Sequence, residues 1–445
     1  MKLKLVVASM SAACLLSTAA FAADAPVKHK HHHAKKHHHH MMAATAYKGD
    51  YKGVMPVVVE TCPPTTQFAN VLDTMDQNIG RARPTEDCNK LISFAGGLNF
   101  DAHWGNRNIN YQGRNNQRLS LNDAYLNIFG NVNEWTKAFM SISYGDPSDK
   151  DDGYVKPNGE YSNVYTANGE NKLTLEQGFI RISNFDVYPV YLQLGKQYSD
   201  FGRYTIHPIT RSMTQVLSET LRTSAVLGFV VPMGFHGDIY AFDNPIREAN
   251  SADVAVGHPH TNYGAAIGYD APGDQLGWGV NVAYMYNMVG VNDVATVYTG
   301  TGIASAVNAY KNRVSAIALD GTINSGPFSL IGDYVTALQR FFVSEIPARL
   351  GSTSGAKPWA GNLQAGYGFM AWSRNQNIYV GYQTSGDSVY FNLPKSRWLI
   401  GWNADVWKNT NMGLEVGHDT DYNQTDGGTG RTANTVAFRA AVKFG

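Results

Sequence analysis

From Ile92 onward the side chains alternate between two environments. The even positions Ile92, Phe94, Gly96, Leu98, Phe100 and Ala102 are apolar or small, whereas Ser93, Asn99, Asp101 and His103 on the other face are polar, with Ala95 and Gly97 among them. Period two is the signature of a strand whose faces meet different media. Comparable runs recur at 136–144, 190–197, 225–231, 263–269, 278–288, 328–338, 363–371, 378–384 and 398–406. Weaker ones lie at 237–242, 313–323 and 412–418. Two further runs, Leu119–Ile128 and Leu173–Ile182, echo each other, and in both the apolar phase slips after the second leucine (Leu121, Leu175), which predicts a β-bulge near a membrane boundary.

The last run is the most specific. Val436, Phe438, Ala440, Val442 and Phe444 alternate with Ala437, Arg439, Ala441 and Lys443, a terminal strand of the kind the outer-membrane assembly machinery reads, although Gly445 stands where the terminal aromatic is usual. Arg439 is expected to face the lumen, because a cation on the lipid face at mid-membrane costs about 2–4 kcal/mol. Counted together the runs predict an all-β fold, a transmembrane antiparallel up-and-down barrel of about sixteen strands over 91–445; an even count is what single-chain bacterial barrels require. Composition agrees, with 44 glycines, 12% aromatic and 16% charged residues. The competing reading of that composition is a soluble secreted β-protein.

The N-terminus implies the compartment. Lys2 and Lys4, an apolar run from Leu5 to Leu16 and Ala20-Phe21-Ala22 form an export signal over 1–22 with cleavage after Ala22. A lipoprotein reading through Cys14 is disfavoured by Ser11 and by the apolar Leu15-Leu16 beyond it. Residues 23–60 form a low-complexity tail, expected to be disordered, that holds eight of the fourteen histidines: His29, His31, His32, His33, His37, His38, His39 and His40. Such imidazole clusters bind zinc, copper or nickel, or are simply solvated. Within 61–90, Phe68, Leu72, Met75 and Ile79 recur at helical spacing, predicting a short periplasmic helix between Cys62 and Cys88. These two cysteines lack further Cys or His at ligand spacing, so a disulfide is expected.

The net charge is zero, so no whole-molecule field favours nucleic acid, and selectivity must be local. The segment Gly195–Arg222 does not alternate and lies between good strands. It carries Lys196, Arg203, Tyr204, His207, Arg211 and Arg222, and a loop of this kind folded into the lumen makes a constriction whose guanidiniums grip carboxylates or phosphates. Arg181 and Arg439 join this expected solute-binding set from lumen-facing strand positions. The alternative is that the cations pair with Asp200, Glu219 and other lumen acids to brace the wall. The acidic stretch Asp146, Asp149, Asp151 and Asp152 does not match a calcium-loop spacing and reads as a solvated outer loop. No nucleophile elbow, H-E-x-x-H or phosphate loop is present, so an enzyme is not expected despite the proximity of Asp200, His207 and Ser212, and no cofactor is implied.

Leu121-Asn-Asp-Ala-Tyr-Leu-Asn-Ile-Phe-Gly-Asn-Val-Asn133, the segment Gly195-Lys-Gln-Tyr-x-x-Phe-Gly-Arg-Tyr204 and Leu217-Ser-Glu-Thr220 together resemble the LbtU-type siderophore porins, the family of the legiobactin receptor. The likeness extends over most of the chain after Leu91. It implies a barrel of about sixteen strands that admits a ferric siderophore across the outer membrane for iron acquisition; the family's binding residues do not transfer. Energised siderophore receptors are 22-stranded and plugged, and the about 69 residues between Ala22 and Ile92 leave no room for a full plug domain. Two other readings stand beside this one: a general or anion-selective diffusion porin, and a surface structural or adhesive barrel with a metal-binding histidine tail. The expected partners are outer-membrane lipid, the barrel-assembly machinery and a small solute, with the protein a monomer or homotrimer.

Overall fold

The computed structural model describes residues 91–106, 117–145, 153–155, 161–163, 172–185, 187–203, 208–231, 234–249, 260–271, 276–300, 309–349 and 351–444. The expected export signal, histidine tail, short helix and Cys62–Cys88 bridge lie outside the described residues, as do Asp146, Asp149, Asp151, Asp152, Tyr204 and His207.

Sixteen strands form one closed barrel. In chain order they are β1 (Ile92–Gly105), β2 (Gln117–Asn131), β3 (Thr136–Gly145), β4 (Lys172–Ser183), β5 (Val190–Tyr198), β6 (Leu221–Val230), β7 (Phe235–Asp243) and β8 (Thr261–Ala271). The second half runs β9 (Leu276–Met285), β10 (Ala316–Ser325), β11 (Phe328–Ala337), β12 (Trp359–Ala371), β13 (Arg374–Gly386), β14 (Ser396–Trp407), β15 (Thr410–Thr420) and β16 (Thr432–Phe444). Each pairs antiparallel with the next, and β1 closes on β16 from Gly96 opposite Phe444 to Gly105 opposite Thr435. Closure leaves no open edge in the hydrocarbon, where an unpaired backbone group costs several kcal/mol.

Both phase slips are bulges. The β1–β2 register shifts at Asn99/Phe100, opposite Asp123 and Leu121, which makes Asn122 the extra residue; the β3–β4 register shifts at Ser141/Ile142, opposite Gln177 and Leu175, with Glu176 extra. Along each strand the apolar set faces out: Leu194, Leu227, Ile239, Ile267, Val280 and Leu363 are exposed, while the residues between them are buried toward the lumen. Aromatic rings ring the outer surface at both ends. Phe235, Tyr269 and Trp278 follow one another in tilted contact at 4.6 and 5.1 Å near one rim, and near the other Tyr263 stacks on Tyr286 at 4.4 Å while Tyr382 and Trp398 meet tilted at 4.6 Å. All the short connections, such as 326–327, 372–373 and 408–409, gather at the first rim, and the long ones at the second, which places the first toward the periplasm and the second outside. The protein is an outer-membrane barrel.

The wall is locked by tyrosines laid flat over glycines. Tyr125 faces Gly97, Tyr191 faces Gly228, Tyr240 faces Gly264 and Tyr379 faces Gly401 in direct cross-strand register. Each ring occupies the space a Cβ on the opposing strand would need. Cross-strand pairs of this kind fix register where the glycine alone would leave it loose. At Gly264 an added side chain would collide with the Tyr240 hydroxyl and with the Tyr284 carbonyl, so the backbone cannot give way cheaply. Gly264→Val is expected to destabilise the barrel by about 1–3 kcal/mol, read as a lower melting point in heat-modifiable electrophoresis; an unchanged melting point would show that the tyrosine does not fill this space.

Candidate functional site: the lumen and its inward loop

The stretch expected not to alternate is shorter than its sequence suggests. β5 continues to Tyr198 and β6 starts at Leu221, and alternation is broken early because Gly195 adopts φ +138°. The described parts of the connection, 199–203 and 208–220, then turn inward. Its apolar residues Phe201, Met213 and Leu217 are fully buried, and its helix α1 (Met213–Ser218), capped by Ser212 accepting from the Gln215 amide at 3.1 Å, lies against β11, β12 and β13. The wall there is a cross-strand row of small side chains, Ala266, Ala283, Ala318, Val335 and Ala360, one per strand from β8 to β12. Small residues at these lumen positions leave room for the loop, and burying each large apolar side chain against them stabilises it by about 1.5–3 kcal/mol.

The tip is pinned to the wall opposite the loop's root. Glu415 of β15, almost wholly buried, accepts the backbone amides of Ile209 and Thr210 at 2.9 and 3.0 Å and the Tyr379 hydroxyl at 2.7 Å. Gln383 accepts the Met213 amide at 3.1 Å, and the guanidiniums of Arg397 and Arg439 reach the carbonyls of Arg211 and Ile209 at 3.4 and 3.5 Å. The loop therefore crosses the whole lumen. Toward the outer mouth, Met288, Val291, Val294 and Tyr298, the last two on helix α2 (Asn292–Gly300), join Phe341 and Ile346 in the same buried apolar cluster as Phe201, Met213 and Leu217. The loop and α2 are joined where Arg211 meets Asp293 at 2.7 Å and Glu219 at 3.2 Å, and where Asn292 also bonds Glu219. Burial pushes the Asp293 carboxyl above the usual range, and Arg211 pulls it back.

The expected solute-binding cations do not form one open patch. Arg203 is buried, its guanidinium donating to His236 Nε2 at 2.6 Å and lying 3.5 and 3.6 Å from Asp270 and Asp320. Arg211 serves the junction just described. Arg439 is held bidentately by Asp101 at 2.7 and 2.6 Å. Arg181, lumen-facing on β4, donates to Gln193 at 2.9 Å, and Arg222 donates to the Leu221 carbonyl at the same distance. Lys196 corrects its expected lumen placement. It pairs in register with Thr223 and Gly178 on the outward face, and its Nζ donates to the Leu175 carbonyl at 2.7 Å, beside the bulge. The bracing alternative therefore describes Arg203, Arg211 and Arg439 well.

Sequence reasoning missed Glu415, Tyr379, Gln383 and the Arg397–Asp419 pair, bidentate at 2.7 and 2.9 Å. The signal was present: Glu415 is an acid on the polar parity of a membrane strand, which demands a lumen partner. What the sequence did not show was that the partner is loop backbone from about two hundred positions away.

No family model matches this chain. It is similar to a UPF0422 protein of Coxiella burnetii, 25% identical over 346 residues, covering 76% of this chain and 66% of that one. The UPF0422 protein lpg2959 of Legionella pneumophila is 26% identical over 348 residues, covering 73% and 62%. The chain thus spans just under two thirds of the length of these relatives. Among solved structures it is similar in fold to OprB of Pseudomonas putida, with TM-score 0.51 at 10% identity, covering 79% of this chain and 94% of that one.

Replacing Glu415 with Ala strips two loop amides of their acceptor, at about 1–3 kcal/mol for each group left buried and unsatisfied. Glu415→Ala is expected to free the tip and raise single-channel conductance while the barrel stays heat-resistant; an unchanged conductance would mean that the remaining contacts suffice to hold the loop.

Proposed function

We propose that this protein is a porin-like outer-membrane channel, not an enzyme, whose passage is set by the loop 199–220. The observation that carries this reading is the attachment of the loop tip to Glu415 across the lumen. A segment held at both ends inside a barrel fixes an aperture, and the polar groups around it meet whatever passes. Its partners in this reading are outer-membrane lipid, the machinery that reads the terminal strand, and a small solute.

For the solute, the resemblance to LbtU-type siderophore porins supports a ferric siderophore, and with it a role in iron acquisition. The paired state of Arg203, Arg211 and Arg439 argues against simple anion attraction as the selective principle. Recognition then rests on shape and hydrogen bonding beside the loop. Purified protein in planar bilayers is expected to conduct, and deletion of the gene is expected to reduce uptake of labelled ferric siderophore at least severalfold. A silent bilayer would remove the channel reading. Normal siderophore uptake, in a protein that does conduct, would remove only the cargo.

A further inference from the structure

The lumen wall carries a second apolar face, apart from the one on which the inward loop is packed. Phe129, Phe139 and Phe179 stand directly opposite one another on β2, β3 and β4, in the row that begins at Ser93 of β1. Leu126, Met140 and Ile180 on the same strands are exposed on the outer surface, so parity turns all three rings into the lumen. The Phe139 and Phe179 rings lie 5.3 Å apart, and Tyr125 faces the lumen two steps further in on β2. Phe139 and Phe179 are 5% and 6% exposed, yet none of the four belongs to the buried apolar cluster that Phe201, Met213 and Leu217 complete. A row of phenylalanines is out of place on a water-filled wall, where apolar surface costs free energy in proportion to its area.

The same face is positive. Lys137 stands opposite Arg181 one lumen step nearer the periplasmic rim, and the Arg181 guanidinium carbon lies 5.9 Å from the centre of the Phe179 ring. Lys443 and Tyr125 flank Gly97 from the two neighbouring strands. A partner for this face brings an apolar stripe bordered by negative charge, and it arrives at the periplasmic mouth.

Residues 61–90 meet these conditions. On helical spacing Phe68, Leu72, Met75 and Ile79 form one stripe, and Asp73 and Asp76 border it on one side. Leu91, directly before β1, is fixed at the periplasmic rim, where its carbonyl accepts the Asn131 amide at 2.9 Å. Phe129 lies two residues along β2 from that contact, and the stretch 80–90 between Ile79 and Leu91 spans up to about 36–40 Å when extended, which is ample reach.

We propose that residues 61–90 of this chain dock in the periplasmic half of the lumen. The stripe of Phe68, Leu72, Met75 and Ile79 lies against Phe129, Phe139 and Phe179, and Asp73 and Asp76 turn toward Lys137 and Arg181. Because the segment is tethered beside its site, docking is intramolecular and needs little affinity from each contact. The lumen then holds two segments of its own chain, the inward loop on the side of β11–β13 and the N-terminal segment on the side of β2–β4. This docking does not rest on the channel reading and is measured without conduction.

The test is site-directed photocrosslinking in the full chain, with a benzophenone side chain in place of Phe129, the partly exposed member of the row, and mass spectrometry of the linked peptides. Linkage to residues 61–90 of the same chain is expected, and none from a benzophenone in place of the outward Ile180. Leu72→Asp, which sets a carboxylate against the phenylalanines, is expected to cut the linked fraction at least about fivefold. Asp73→Lys together with Asp76→Lys is expected to lower it as well, by setting cation against cation. Unchanged heat-modifiable migration verifies an intact barrel in every variant. Absence of linkage to 61–90, linkage to a second copy, equal linkage from position 180, or a linked fraction indifferent to either set of substitutions would each overturn the proposal.

Discussion

Everything in this molecule depends on the ladder between β1 and β16. Fifteen strand pairs can form in sequence order and still leave two raw edges; the sixteenth, spanning Gly96–Gly105 and Thr435–Phe444, removes both. In hydrocarbon no water is available to satisfy those edges, so closure is a condition of existence and not a refinement. Once the cylinder is closed the side chains have only two destinations. Most outward positions are apolar, and most polar strand positions are gathered into the interior, where a charge needs a counterpart.

That gathering explains the character of the lumen. Arg439 with Asp101 and Arg397 with Asp419 are pairs formed across strands, and Arg211 with Asp293 joins one loop to another. Desolvated ions of this kind contribute little net stability, yet removing one partner is costly, which makes them devices for placing segments. The inward loop shows the same economy. Its buried apolar residues lie on a row of small side chains, and the amides of Ile209, Thr210 and Met213 are taken up by Glu415 and Gln383.

The period-two pattern made the barrel readable, including its strand number and both bulges, because parity is a one-dimensional property that survives without contacts. Arg439 was placed correctly by the same reasoning. Lys196 was not, since a single glycine with φ +138° at position 195 hides where the strand ends, and the residue after it belongs to the outer face. The candidate site was legible only as a suspicion. That 199–220 breaks the alternation is visible in the residues, but that its tip meets β15, and that Arg203 is spent on Asp270, Asp320 and His236, are facts of three-dimensional closure between positions far apart in the chain. Tyrosines opposite glycines were likewise invisible, because register decides them and register was not known.

The attachment at Glu415 has one more implication. Its carboxylate grips peptide N–H groups, which every residue except proline presents alike. Thr210, only partly buried, can therefore be exchanged for any residue but proline without losing this contact, whereas the Ile209 side chain is buried against the wall at Gly413; the surface at Thr210 is free to drift while the strap stays in place. A lineage built on this plan can change what it admits by point substitution at the tip, with no need to rebuild the wall that holds it.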